Sequence, residues 1–255
     1  MSEKKEKGGI SASTEHLFPV IKKWLYSEKE IFLREIVSNA CDAITKLKRL
    51  ESLGKYDSCA EEYRVTVKLD KAEKTLTVSD NGIGMNWEEV KKYICNIALS
   101  GALEFIQKYE DEKSDSGIIG HFGLGFYSSF MVSDTVEVIT RSVDGSESVR
   151  LVCTEDGEYT IEQTNEPRAC HGTDVIMHLN SEGDEYLDKH KLTQVLDKYC
   201  AFMPVEIYLE QQDEEDEAKE GEDSLAEPRP VNDVSPLWLK NASECTEEEY
   251  REFYS

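Results

Sequence analysis

A chain of 255 residues with 53 acidic against 29 basic side chains, a formal net charge of −24, lacks the basic footprint that nucleic-acid binding needs. With 39% hydrophobic residues it can bury one substantial core plus a linker and a short extra piece, and no window approaches the roughly 18 apolar residues of a membrane span. Its seven cysteines, at 41, 59, 95, 153, 170, 200 and 245, form no Cys-x-x-Cys pair. That pattern favours a reducing compartment, the cytoplasm, over a disulfide framework or a zinc site.

Residues 1–15 are charged and carry no apolar run, so they read as an arm and not as a signal peptide, disordered until paired. From Glu28 to Leu50 the apolar residues Ile31, Phe32, Ile36, Ala40, Ala43, Ile44 and Leu47 recur at helical spacing. Glu35, Asn39 and Asp42 fall at i, i+4 and i+7 and so share one face of that helix. A carboxylate and an amide oxygen one turn apart suit magnesium, which takes few protein ligands beside phosphates. Asn39 is the better ligand, leaving Glu35 to orient or deprotonate a water. A solvated polar stripe on an amphipathic helix would look the same in isolation.

Alternation over Tyr63–Leu69 and Leu76–Ser79, with Asp70 to Lys74 as the turn, predicts a hairpin ending at Asp80-Asn-Gly82-Ile-Gly84-Met85. A carboxylate at a strand end beside glycines suits an exocyclic amine such as the adenine N6, with the backbone free to approach the ligand. A turn followed by a cap is the plainer reading, and Asn86 before Trp87-Glu-Glu looks like that cap. Gly117, Gly120, Gly123 and Gly125 follow, with Phe126 to Val132 able to open a helix whose N-terminus favours anions. No Gly-Lys-Ser/Thr follows and no strand immediately precedes, so this is neither a Walker loop nor a dinucleotide fingerprint. A glycine-rich lid over a nucleotide fits better.

Further strands are expected over 135–140, 148–153, 159–163, 173–179 and 205–209, with a helix over 192–203 ending near Pro204. The fold expected is α+β, a two-layer sandwich with helices on one face of a largely antiparallel sheet. Residues 16–209 make that domain. Residues 210–235 read as an acidic, disordered linker, since Glu210 to Glu227 holds ten acids against Lys219 alone. Residues 236–255 read as the start of a further, truncated domain.

The four motifs Glu35-Ile-Val-Ser-Asn-Ala-Cys-Asp42-Ala, Asp80–Met85, Gly117–Phe126 and His171-Gly-Thr173-Asp resemble the Bergerat-type ATP site of gyrase B, mismatch-repair ATPases, histidine kinases and heat-shock-protein-90 chaperones. Leu25–Glu35, Gly120–Ser128 and Pro236–Asn241 resemble the bacterial type of those chaperones, over nearly the whole chain from about His16. The resemblance implies the N-terminal nucleotide domain of a dimeric, ATP-driven folding machine acting on client proteins. It makes Glu35 the base or water-orienting group, Asn39 the magnesium and phosphate contact, and Asp80 the adenine anchor. Asp42 belongs to the same nucleotide face. Gly84 and Met85 would line the base pocket, Thr173 would support it through water, and Gly120, Gly123, Gly125 and Phe126 would meet the phosphates. ATP or ADP and Mg2+ are the expected cofactors, with no nucleic-acid or membrane partner. Leu99, Tyr93 and His121 depart from the family pattern, where lysine, asparagine and glutamine are common. A non-hydrolysing, nucleotide-gated module is the runner-up they motivate. A histidine-kinase catalytic domain fits the flanking sequence poorly.

Overall fold

The computed structural model describes residues 28–56, 60, 62–96, 105, 119–120, 123–164, 168–212 and 229–237. The N-terminal arm, Leu99, His121 and residues 213–228 and 238–255 lie outside that set. Helix α1 (Ile31–Ser52) opens the described chain, followed by β1 (Arg64–Asp70), β2 (Thr75–Asp80) and α2 (Trp87–Tyr93). A 3-10 helix (Gly125–Met131), strands β3 (Ser133–Arg141), β4 (Val149–Thr154), β5 (Tyr159–Gln163) and β6 (Gly172–Leu179), a second 3-10 helix (Asp184–Leu187), helix α3 (Lys189–Cys200) and β7 (Glu206–Gln212) complete it.

The strands form one sheet in the order β5-β4-β3-β6-β2-β1-β7, antiparallel throughout except where β7 runs parallel to β1. Cross-strand register sorts its side chains into rows. Val67, Val78, Val175, Val138 and Leu151 form one row, and Leu69, Leu76, Met177, Val136 and Cys153 the next. Phe32, Leu33, Ile36, Ile44, Phe130, Tyr186, Leu192 and Leu196 of the helical layer pack with these strands into the main core. Each fully buried Leu or Val there contributes about 1.5–3 kcal/mol. The opposite face is polar, with Arg150 bridging Glu137 and Glu162, and His178 on Glu137. The result is the expected α+β architecture, helices against one face of a mostly antiparallel sheet.

Local signals explain the element ends. α1 stops where Gly54 takes φ +64° and donates to Glu51, while Lys55 N–H reaches back to Leu50. α2 starts on a capping box in which Asn86 accepts from Glu89 N–H and the Glu89 carboxylate accepts from Asn86 N–H. After the glycines the chain forms a seven-residue 3-10 helix, where an anion-favouring helix was expected. The Ser128 and Ser129 hydroxyls turn back onto Gly125 and Phe126 carbonyls at 2.6 and 2.7 Å, competing with regular α-helical bonding. β7 continues past Leu209 through Glu210, Gln211 and Gln212, into the segment read as linker. Beyond the acidic run the chain returns: Asn232 caps Met203 and Val205 carbonyls and accepts Ile207 N–H.

Candidate nucleotide site

Glu35, Asn39 and Asp42 lie along one face of α1 as their spacing predicts, half-buried, exposed and buried in turn. The Asp42 carboxylate accepts the Ile119 and Gly120 N–H groups, both at 2.7 Å, so it holds the glycine segment and is not left open to a ligand. A Cβ on Gly120 would sit 3.1 Å from Asp42 Oδ2 and 3.3 Å from Asn39 Oδ1; one on Gly125 would sit 2.9 Å from Glu35 Oε2. The glycine backbone therefore lies directly against the acid-amide face, closer than a side chain could come without displacing those carboxylate and amide ends. Gly123 turns the segment with φ +64°. Phe126 packs between the two apolar clusters and stacks edge-on to Tyr127 and Phe130.

Burial raises the Glu35 carboxyl above its ordinary range, against the pull of Arg34. A carboxyl so placed is a better proton acceptor once ionised. Sequence reading stopped short of Lys46, which continues the same stripe at i+11. Burial pulls its pKa down while Asp42 and Glu89 hold it up, which places one cation along the acidic face. Its signal was the helical period itself, followed one turn too few.

The second wall is the end of the sheet. Asp80, Thr173 and Thr140 are register partners on β2, β6 and β3 and make a polar triplet flanked by Val65 and Val149. Asp80 is buried and accepts Gly82 N–H at 2.8 Å. Burial pushes its carboxyl up to about 7, eased by Gly82 N–H, Arg168 and Thr173 N–H and raised further by Asp174. Gly82 lies against the α1 backbone, where a Cβ would meet the Ala43 carbonyl carbon at 2.5 Å, and Ile83 N–H donates to Ala43 O at 3.1 Å. Gly84 takes φ +63°, with Arg141 O where its Cβ would stand. Met85 N–H donates to Thr140 Oγ1 at 2.9 Å. His171 Nδ1 lies 2.7 Å from Gly82 O, and Arg168 pairs with Asp174 while donating to Asp80 O.

All eleven expected site residues lie on α1, the glycine segment or the sheet end, and α1 touches both of the others, through Asp42 and Ala43; Tyr93 ends α2. An open depression of about 560 Å³ lined by Lys48, Tyr63, Pro204 and Tyr208 lies elsewhere and contains none of them. Cys41, Cys95, Cys153 and Cys200 are free thiols. Cys170 is disulfide-bonded. Among the described residues no helix is long and apolar enough to cross a membrane.

Residues 26–178 match the family model described as histidine kinase-, DNA gyrase B- and HSP90-like ATPase. The chain belongs to that family. It is also similar to chaperone protein HtpG of Porphyromonas gingivalis, 47% identical over 98% of this chain and 36% of the relative. Chaperone protein htpG of Bacteroides fragilis is 44% identical over the same shares. Chaperone protein HtpG of Vibrio campbellii is 40% identical over 100% of this chain and 40% of the relative. The chain therefore spans little more than a third of the length of these relatives.

Proposed function

We propose that this chain is the ATP-binding N-terminal domain of a bacterial-type heat-shock-protein-90 chaperone. One observation carries the reading: the Ile83–Ala43 bond and the Gly82 contact dock the Asp80 corner onto α1. They do so one residue beyond Asp42, which holds the glycine segment. A carboxylate suited to a base amine and a backbone suited to phosphates are thereby fixed on one helix. Asp80 anchors the adenine, Gly84 and Met85 border it, Thr173 supports it, and the Gly120–Phe126 segment faces the phosphates. Glu35 accepts a proton from, or orients, the attacking water.

Among the described residues no cluster of three or more His, Cys, Asp or Glu side chains could hold a metal ion alone. The donor set instead fits magnesium arriving with the nucleotide, since Asn39 offers an exposed amide oxygen and magnesium keeps phosphate and water as its other ligands. Bound there, magnesium would neutralise phosphate charge. Hydrolysis by this chain alone is expected to be weak. Clamping on client proteins, homodimer formation and a role in the stress response belong to the longer protein, in the cytoplasm.

Calorimetry of ADP binding to this chain tests the reading. Asp80→Asn is expected to lower affinity at least tenfold with an unchanged circular-dichroism spectrum, because a charged acceptor in a closed site contributes about 1.5–3 kcal/mol. Equal ADP affinity in the two proteins rejects Asp80 as the anchor.

A further inference from the structure

The polar triplet at the end of the sheet contains a residue with no assigned task. Thr140 is fully buried, yet its hydroxyl makes three contacts. It accepts Met85 N–H at 2.9 Å, lies 3.1 Å from Gly172 O, and lies 3.0 Å from Thr173 Oγ1. A hydroxyl has one proton and two lone pairs, so these contacts can be satisfied in a limited number of ways.

If Thr140 gave its proton to Thr173, it would face Gly172 O at 3.1 Å with no proton between two buried oxygens, an uncompensated repulsion in a low-dielectric setting. If it gives its proton to Gly172 O, every contact is filled. Met85 N–H takes one lone pair, and the Thr173 hydroxyl donates to the other. The Thr173 proton is then consumed on the Thr140 side. Its oxygen is left with lone pairs only, next to Asp80, its register partner across β6 and β2.

We propose that Thr140 is a positioning residue that fixes the Thr173 hydroxyl as an acceptor, and so sets the preference of the site for an amino-purine over an oxo-purine. This rests on the adenine-site reading of Asp80. Two acceptors side by side match the N–H donors of the adenine amine and repel the carbonyl that hypoxanthine or guanine carries at the same position. The backbone of Met85, held by the same hydroxyl, is kept in register with that edge of the base.

The test uses this chain with two probes, ADP and inosine diphosphate, which differ at that one group of the base edge and its ring proton. The unmutated protein is expected to favour ADP. Thr140→Val keeps the shape and removes the hydroxyl, freeing the Thr173 proton to meet a carbonyl, and should shrink the ADP-to-inosine-diphosphate affinity ratio by about tenfold. Thr140→Ser restores the hydroxyl and should restore the ratio to within about twofold of the parent. A valine variant whose two affinities fall together, leaving the ratio unchanged, would show a merely structural threonine and overturn the proposal. So would a parent that binds both probes equally. A parent that binds neither probe overturns the adenine-site reading itself, a separate failure. Should Thr140→Val not fold, NMR of the parent decides. A Thr173 hydroxyl proton with a cross-peak to Thr140 supports the assignment, and one directed into the cavity overturns it.

Discussion

Asp80 combines a buried carboxylate with a task that requires it to be ionised. Without nucleotide, burial holds its pKa near 7, so a proton resides on it through the acidic range. A protonated carboxyl presents a donor where the base amine also donates. Adenosine affinity should therefore be full above about pH 8 and fall roughly tenfold per unit below about pH 6, as one proton competes with binding. Adenosine isolates this from phosphate titration, and a flat profile between those limits would reject the coupling. The same shift has a stability consequence of definite sign. The folded pKa lies above the unfolded value, so the contribution is present at low pH and lost as pH rises through about 7. Without ligand, Asp80→Asn should melt at a higher temperature than the parent at pH 8, and the gap should narrow toward pH 5. On the other wall, Glu35→Ala in the longer protein should bind ATP with magnesium but lose about 10²–10⁴ in turnover, the usual cost of removing a general base. Single-turnover hydrolysis at the parental rate would remove Glu35 from that role.

At the scale of elements, the sheet end depends on close backbone approaches that side chains would block. Gly172 has φ +122°, and its Cβ would stand 2.1 Å from Asp80 O. Gly145 has φ +85° but open space around it. Gly145→Ala should thus cost only backbone strain, about 1 kcal/mol, without altering ADP affinity, while Gly172→Ala should cost more in urea unfolding and also weaken ADP. Equal effects of the two substitutions on affinity would mean that the β6 start does not hold Asp80 in place. Most elements were legible beforehand because their signals are local. α1 follows from a 3.6-residue period, β1 to β6 from alternation, and α2 from the Asn86–Glu89 cap. What was not legible is non-local. The parallel pairing of β7 with β1, and the return of Asn232 onto Ile207, need the folded sheet before they exist. The 3-10 helix was missed because serine hydroxyls compete with backbone bonding only once the segment is packed. Asp80 and Thr173 could be picked from their motifs, whereas Thr140 sits in a plain alternating strand. Only register shows that it completes a row with them.

For the whole molecule, charge opposes the task. The nucleotide is a polyanion, and the chain carries −24 overall. Close to the site, Lys46 offers one cation along the α1 face, itself held up by Asp42 and Glu89. Nearby attraction acts over a few ångströms and is weakly screened, while the repulsion of the remaining charge is long-ranged and through water. The Debye length falls from about 30 Å at 0.01 M salt to about 8 Å at 0.15 M, so added salt removes chiefly the long-range part. Two dozen net negative charges outweigh the few cations around the site, Lys46, Arg34 and Arg168, and make that part the larger at low salt. ADP binding measured without divalent ions should therefore strengthen by at least about threefold between those concentrations, while adenosine, uncharged, should hardly change. Such a response runs opposite to that of a basic phosphate-binding site, which salt weakens. If ADP affinity falls with salt in parallel calorimetric titrations, local cations dominate the phosphate end and the acidic bulk of the chain is electrostatically remote from it. If ADP and adenosine respond alike, the phosphates contribute little to binding and the glycine segment is not their seat.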